Sequence, residues 1–168
     1  MIIVCPFNAV RGLVEAGEAG NVLSLLGPET AHHAFDWLGE KHLKLTFHDI
    51  AEPMEGFQHP RPEHVERIVE FVSHWDKEAP LLIHCWAGIS RSTAAALTSM
   101  CLLHPDADEL DLAQELRRIS PSATPNRLML GYADEILGRR GRLAAAGAAI
   151  GRGEDAYEGK IFRWQLRS

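Results

Sequence analysis

The stretch Leu81-Leu82-Ile83-His84-Cys85-Trp86-Ala87-Gly88-Ile89-Ser90-Arg91-Ser92-Thr93-Ala94-Ala95-Ala96-Leu97 decides how this chain is read. Pro80 stops whatever precedes it, and the apolar run that follows has the length and composition of a buried strand. The small-residue run from Thr93 has the character of a helix, beginning near Ser90 to Ser92. Between strand and helix lies a short loop with a cysteine at its start and an arginine at its end. The free N–H groups and the positive dipole end of the helix point into that loop. Successive loop amides can form a concave nest, and the combination is a binding site for a dianionic phosphate. Gly88 lets the backbone turn tightly, and the planar fork of Arg91 suits two phosphate oxygens where a lysine would not. Cys85, at the floor of the same positive field, is placed as a thiolate aimed at phosphorus.

These residues resemble the signature loop of the cysteine-dependent protein phosphatases, His-Cys, five residues, then Arg-Ser/Thr; the Ala87-Gly88-Ile89-Ser90-Arg91-Ser92 ending is similar to the dual-specificity branch. The resemblance covers Val22 to Leu137. It implies that Cys85 is the nucleophile and passes through a phosphocysteine, and that Arg91 binds substrate and transition state. It implies too that Ser92 stabilises the departing thiolate, that His84 supports the cysteine, and that Trp86, Ala87, Gly88, Ile89, Ser90 and Arg91 bind the substrate.

Breaking a P–O bond also needs a proton for the leaving oxygen and then a base for the attacking water. The signature loop contains no carboxylate. In the resembled family an aspartate on a loop after an earlier strand does both. Asp49 is the candidate, following Leu43 to His48 and preceding a strongly periodic helix; its alternative is a plain turn residue. Glu52 and Glu55 share the loop as fallback acids. There is no Trp-Pro-Asp sequence, so a large closing loop is not expected. Pro125-Asn126 resembles a family pair whose asparagine bonds the nucleophile loop or its neighbours, and Asn126 serves equally well as a plain helix N-cap.

The 168 residues suit a single phosphatase-like domain, with 138–168 read as a helical or irregular extension rich in Arg, Gly and Ala. A net charge of −6 argues against general nucleic-acid or anionic-membrane binding. Cys5, Cys85 and Cys101 have no paired spacing, which argues against a disulfide framework or a zinc cluster and suits a reducing, cytoplasmic setting. Cys5, on a strand beside the signature strand, is a conceivable sulfenic-acid partner for Cys85. No signal peptide or membrane span is read. The nine histidines show no metal-ligand spacing, so neither metal nor other cofactor is expected.

Along the chain, strands are expected at Met1 to Cys5, Asn21 to Leu26, Leu43 to Phe47 and Leu81 to Ile83. Helices are expected at Ala9 to Ala19, Thr30 to Leu38, from Pro62, after Ser90, after an Asp106 cap with Glu109 as its partner, and around Met129 to Ile136. The alternation gives an α/β fold with a mostly parallel central sheet of four to five strands and helices on both faces, which agrees with the fold the resemblance implies. The function expected is phosphomonoester hydrolysis, with a phosphorylated protein or a small phosphomonoester as partner. The tyrosine-recognition segment of larger relatives is not evident, so a shallow pocket open to phosphoserine, phosphothreonine and phosphotyrosine is expected. A non-catalytic phosphate-binding module is the rival from another class; enzymatic rivals act on a small metabolite, a phosphoinositide or a nucleic-acid 5′ phosphate.

Overall fold

The computed structural model describes residues 1–167. Five strands form one sheet in the order β3-β2-β4-β1-β5: β1 (Ile2–Cys5), β2 (Asn21–Leu26), β3 (His42–Thr46), β4 (Leu81–His84) and β5 (Phe162–Trp164). β4 pairs in parallel with β1 and β2, β3 joins β2 in parallel, and only β5 is antiparallel, along β1. β1, β2 and β4 are buried along their whole length, as apolar strands covered on both faces must be. Their side chains alternate between two cores. Ile2, Val4, Leu23, Leu25, Leu81 and Ile83 face one, while Ile3, Cys5, Val22 and Leu82 face the other.

The second, smaller core is closed by α1 (Phe7–Glu15), through Val10, Leu13 and Val14, together with Phe35. The larger core is covered by α2 (Pro62–Ser73), α3 (Arg91–Leu103), α4 (Glu109–Ile119), α5 (Arg127–Ile136) and α6 (Arg142–Ile150). α3 is the central helix of that layer, buried continuously from Arg91 to Cys101 and packed against α2, α4, α5, β1 and β4. Its Ser-Thr-Ala-Ala-Ala start lets neighbours approach closely. Its buried hydroxyls bond back along the helix, Thr98 to the Ala94 carbonyl at 2.8 Å and Ser99 to Ala95 at 2.7 Å.

Three expected elements differ in the structure. The helix expected over Thr30 to Leu38 is absent; an irregular segment buries Phe35 against the smaller core and leads into a short 3-10 stretch, Asp36–Lys41, broken by Gly39 at φ 52°. α1 begins earlier, directly after Pro6, and ends before Gly17, whose φ of 74° suits the left-handed exit of a helix. α4 is capped by Asp108 rather than Asp106: its carboxylate accepts from the amides of Leu110 and Asp111. The shift turns Leu110 outward and brings Leu112 inward.

Glu109 is then free to point inward, where it meets Arg139 at 3.1 Å and Arg142 at 3.0 Å. Arg139 is itself buried and also donates to the carbonyls of Pro105 and Cys101. Asp134 of α5 does a related task for α6, whose N-cap is a glycine: its carboxylate accepts from Gly141, Leu143 and Ala144. These two carboxylates fasten the residues after Gly138 to the domain, and β5 adds Phe162 and Trp164 to the main core. Removing one member of a buried pair leaves the other charge uncompensated. Glu109→Ala is therefore expected to lower stability in urea unfolding by about 3–5 kcal/mol, and Arg142→Ala, whose partner charge keeps Arg139, by much less.

Candidate active site

β4 lies between β2 and β1, so the chain leaves its carboxyl end at the point where the winding of the sheet reverses, where open α/β sheets hold ligands. Residues 85–90 cross that end and run straight into α3 at Arg91. Four carbonyls of this loop are held from outside by backbone amides: Trp86 by Phe7 at 3.0 Å, Ala87 by Gly159 at 2.7 Å, Ile89 by Thr124 at 2.9 Å, and Ser90 by Ala94 at 3.0 Å and Asn126 at 3.3 Å. In a planar trans peptide the carbonyl and the next residue's N–H point in opposite directions. Turning these carbonyls outward therefore turns the amides of Ala87, Gly88, Ser90 and Arg91 inward. One of them already has a partner, Gly88 N–H donating to Cys85 Sγ at 3.2 Å.

Two glycines permit this closeness. Gly88 has φ 72°, and a Cβ there would lie 2.8 Å from the Pro6 nitrogen and 2.9 Å from the Cys5 carbonyl carbon. A Cβ on Gly159 would lie 2.7 Å from the Gly88 carbonyl oxygen. The loop is thus clasped between the exit of β1 and the irregular segment around Gly159, which a second tie, Asn8 to the Glu158 carboxylate, fixes to α1 at 3.1 Å.

Cys85 is buried, its Sγ 3.1 Å from the Ser92 hydroxyl. Arg91 is also buried; its Nη1 donates to the Phe47 carbonyl at 2.7 Å, and its Nε has no partner. A buried guanidinium N–H left open is costly unless a ligand takes it, and an oxyanion in the nest is within its chemistry. The Arg91–Phe47 bond also ties the nucleophile loop to the segment carrying Asp49. There, Asp49 Oδ1 accepts from Ser90 Oγ at 2.7 Å and from Asn126 Nδ2 at 3.0 Å. Asn126 Nδ2 further donates to the Ile50 carbonyl, while its Oδ1 accepts the Leu128 and Met129 amides. The asparagine is both helix cap and tether for Asp49. Glu52 instead pairs with Arg127 at the surface, and Glu55 is exposed.

Beneath the loop runs a chain of side chains that the motif did not reveal. His84 Nε2 lies 2.6 Å from Ser24 Oγ, which lies 2.8 Å from His42 Nε2; His84 Nδ1 lies 3.3 Å from the Cys85 carbonyl. Burial pushes His84 down to about 3, with the neighbouring histidines acting in the same direction, so it is neutral. Its Nδ1 faces a carbonyl and must donate; its Nε2 must then accept from Ser24, and Ser24 must accept from His42. Every proton in the chain is thereby fixed. Ser24, the single polar residue in the apolar run Val22-Leu23-Ser24-Leu25-Leu26, was the available signal. Cys5 pairs in register with His84, but its side chain belongs to the smaller core while Cys85 belongs to the larger one, and burial pushes the Cys5 thiol up to about 12. Among the described residues no group of three or more His, Cys, Asp or Glu side chains is arranged to hold a metal ion, and no helix is long and apolar enough to cross a membrane.

The protein-tyrosine phosphatase family model matches residues 54–123, which include the whole nucleophile loop but neither Asp49 nor Asn126. No curated protein matches the chain. Among solved structures, the Cydia pomonella phosphatase PTP-2 superposes with a TM-score of 0.59 at 20% identity, covering 79% of this chain and 83% of that one. DUSP15 gives 0.57 at 17%, covering 88% of each chain. PTPMT1 gives 0.59 at 15%, covering 89% of this chain and 94% of that one.

Neutral His84 has a consequence for stability. Its folded value lies below the ordinary histidine value, so acid protonates the unfolded chain first; its contribution is complete above about pH 6.5 and is lost as pH falls toward 3. Between pH 6.5 and 5, above the carboxylate range, urea unfolding should show stability falling by up to about 1.4 kcal/mol per pH unit from this group. In His84→Gln that slope should shrink by one proton, whatever the variant's absolute stability.

Proposed function

We propose that this chain is a cysteine-dependent phosphatase of the protein-tyrosine phosphatase type, as its family match and fold neighbours support, and that it hydrolyses phosphomonoesters through a phosphocysteine on Cys85, with protein phosphotyrosine or another phosphorylated side chain as substrate. Cys85 Sγ attacks phosphorus in line with the leaving oxygen, and the P–O bond breaks as the S–P bond forms. The inward amides of the loop and the open Nε of Arg91 stabilise the equatorial oxygens, where the transition-state charge resides. Asp49 supplies the proton to the leaving oxygen. Its Oδ1 is engaged by Ser90 and Asn126, which leaves Oδ2 for the substrate. In the second half the same carboxylate takes a proton from water as that water attacks phosphorus, and Ser92 Oγ donates to the thiolate as it departs. His84 positions the loop by holding the Cys85 carbonyl.

The observation that carries this reading is the placing of Cys85 Sγ against the inward Gly88 amide and the Ser92 hydroxyl, in a loop that ends on the buried Arg91. Asp49 is preferred to Glu52 and Glu55 because it alone is held against the loop. One fold neighbour, PTPMT1, was crystallised with PI(5)P. In this chain, positions 86–90 of the loop carry no basic side chain, which favours a singly phosphorylated side chain over a polyanionic lipid headgroup.

Hydrolysis of para-nitrophenyl phosphate, with chelator present, tests the mechanism. Wild type should turn over; Cys85→Ser should abolish turnover while keeping affinity for phosphate, and Asp49→Asn should lower kcat by roughly a hundredfold or more. Unchanged kcat in Asp49→Asn, with collapse in Glu52→Gln or Glu55→Gln, would move the acid to that residue. Phosphate binding by wild type without turnover would make the chain a binding module.

A further inference from the structure

The loop that follows Asp49 is not held by a core. From Glu52 to Gln58 every residue is exposed, so packing does not fix its course between β3 and α2. It is closed instead at its base, by His48. The His48 N–H donates to the Gln58 carbonyl at 2.7 Å, and the Gln58 N–H donates back to His48 Nδ1 at 2.9 Å. The imidazole also meets the Phe57 ring edge to face, with centroids 5.0 Å apart and planes at 71°. Backbone and side chain of one residue thus grip the far end of the loop together, and a grip at two points stops the hinging that a single bond permits.

His48 is itself firmly held. The Phe47 carbonyl takes the 2.7 Å bond from Arg91, so both ends of the Phe47–His48 peptide plane are fixed. The His48 carbonyl accepts from the Ile50 N–H at 3.0 Å, which wraps a three-residue turn around Asp49. Asp49 is therefore the central residue of a turn whose first member is pinned through its N–H, its carbonyl and its ring. The ring does this in one form only. A nitrogen that accepts an amide hydrogen carries no proton, so the ring hydrogen belongs on Nε2, the atom 3.7 Å from the Glu29 carboxylate.

We propose that His48 is a positioning residue for the general acid: by accepting the Gln58 amide it closes the loop at its base and fixes the reach of Asp49 to the leaving oxygen. The inference rests on the phosphatase reading and adds to it a residue with no part in holding the phosphate. Ser90 and Asn126 hold the Asp49 carboxylate at Oδ1, whereas His48 holds the backbone from which that carboxylate extends. Proton transfer depends on alignment, and a misplacement of about 1 Å is enough to cost roughly a hundredfold. The need for the proton grows with the basicity of the leaving oxygen, so a displaced acid is felt most by poor leaving groups.

The test compares para-nitrophenyl phosphate, whose leaving group departs readily, with phenyl phosphate, whose leaving group needs the proton. His48→Leu keeps bulk against Phe57 and deletes the acceptor. It should lower kcat/KM about tenfold for phenyl phosphate but within about threefold for para-nitrophenyl phosphate, with inhibition by inorganic phosphate unchanged. His48→Asn, whose Oδ1 takes the place of Nδ1 in the side chain, should recover most of the loss. In the Asp49→Asn background His48→Leu should have no further effect. Gln58→Pro, which removes the N–H and leaves the ring, should share the pattern and decides the matter should His48→Leu not fold. Equal losses for the two substrates, or a loss that persists in Asp49→Asn, would make the role of His48 purely structural, and no loss would remove it from the mechanism; each result overturns the proposal. If Asp49→Asn alone spares phenyl phosphate, the acid assignment has failed and the proposal falls with it. An arm without turnover separates the two: imidazole-nitrogen NMR in alkaline buffer should show the His48 proton on Nε2, and a proton on Nδ1 would overturn the closure even in an inactive protein.

Discussion

The outward set of carbonyls in the nucleophile loop is the constraint on which the rest of the molecule depends. A nest of inward amides has no hydrophobic driving force of its own, and left alone its dipoles repel one another. Here the loop is held open by amides from Phe7, Gly159, Thr124, Asn126 and Ala94, which come from the start of α1, the segment before β5, the connection between α4 and α5, and α3 itself. Each of those elements is positioned by the core it packs on. Burial in the two cores is thus converted into the orientation of a few peptide planes, and the peptide planes set the field at Cys85.

The same economy shows around Asp49. A carboxylate on an exposed loop would ordinarily sample many positions. Ser90 from the loop, Asn126 from the cap of α5 and the Arg91 bond to the preceding Phe47 carbonyl confine it. A single asparagine side chain connects the start of α5 to the segment carrying Asp49, so the stability of that helix and the placing of the Asp49 carboxylate are linked.

Much of the fold was legible because it rests on local patterns: the apolar runs of β1, β2 and β4, the periodic face of α2 opened by Pro62, and the strand-loop-helix around Cys85. The sheet and its helical layers followed from their alternation. What escaped rests on contacts distant in sequence. The cap of α4 lies two residues later than the local pattern indicated, and with it Glu109 faces Arg139, thirty residues away. In place of the helix expected over Thr30 to Leu38, an irregular segment puts Phe35 in the smaller core and leaves Trp37 exposed. Ser24 and His42 carry no motif, and their relation to His84 exists only once β2 lies between β3 and β4. Likewise nothing in the composition of 151–160 announces a partner for Ala87; the pairing is created by β5 returning antiparallel along β1.

That return has a consequence in time. A polypeptide grows from its amino end and its domains fold as units, so β1, β2, β3 and β4, Cys85 and Asp49 all emerge before the segment that holds Ala87. A nascent chain that has reached only Ile150 owns Cys85, Arg91 and Asp49 but lacks the Gly159 amide, the Glu158 clasp on Asn8 and the strand that covers the free edge of β1. Its loop is left with one carbonyl unfastened and its sheet with one edge open. The ties that fix the loop around Cys85 are thus supplied only after the loop itself has been made.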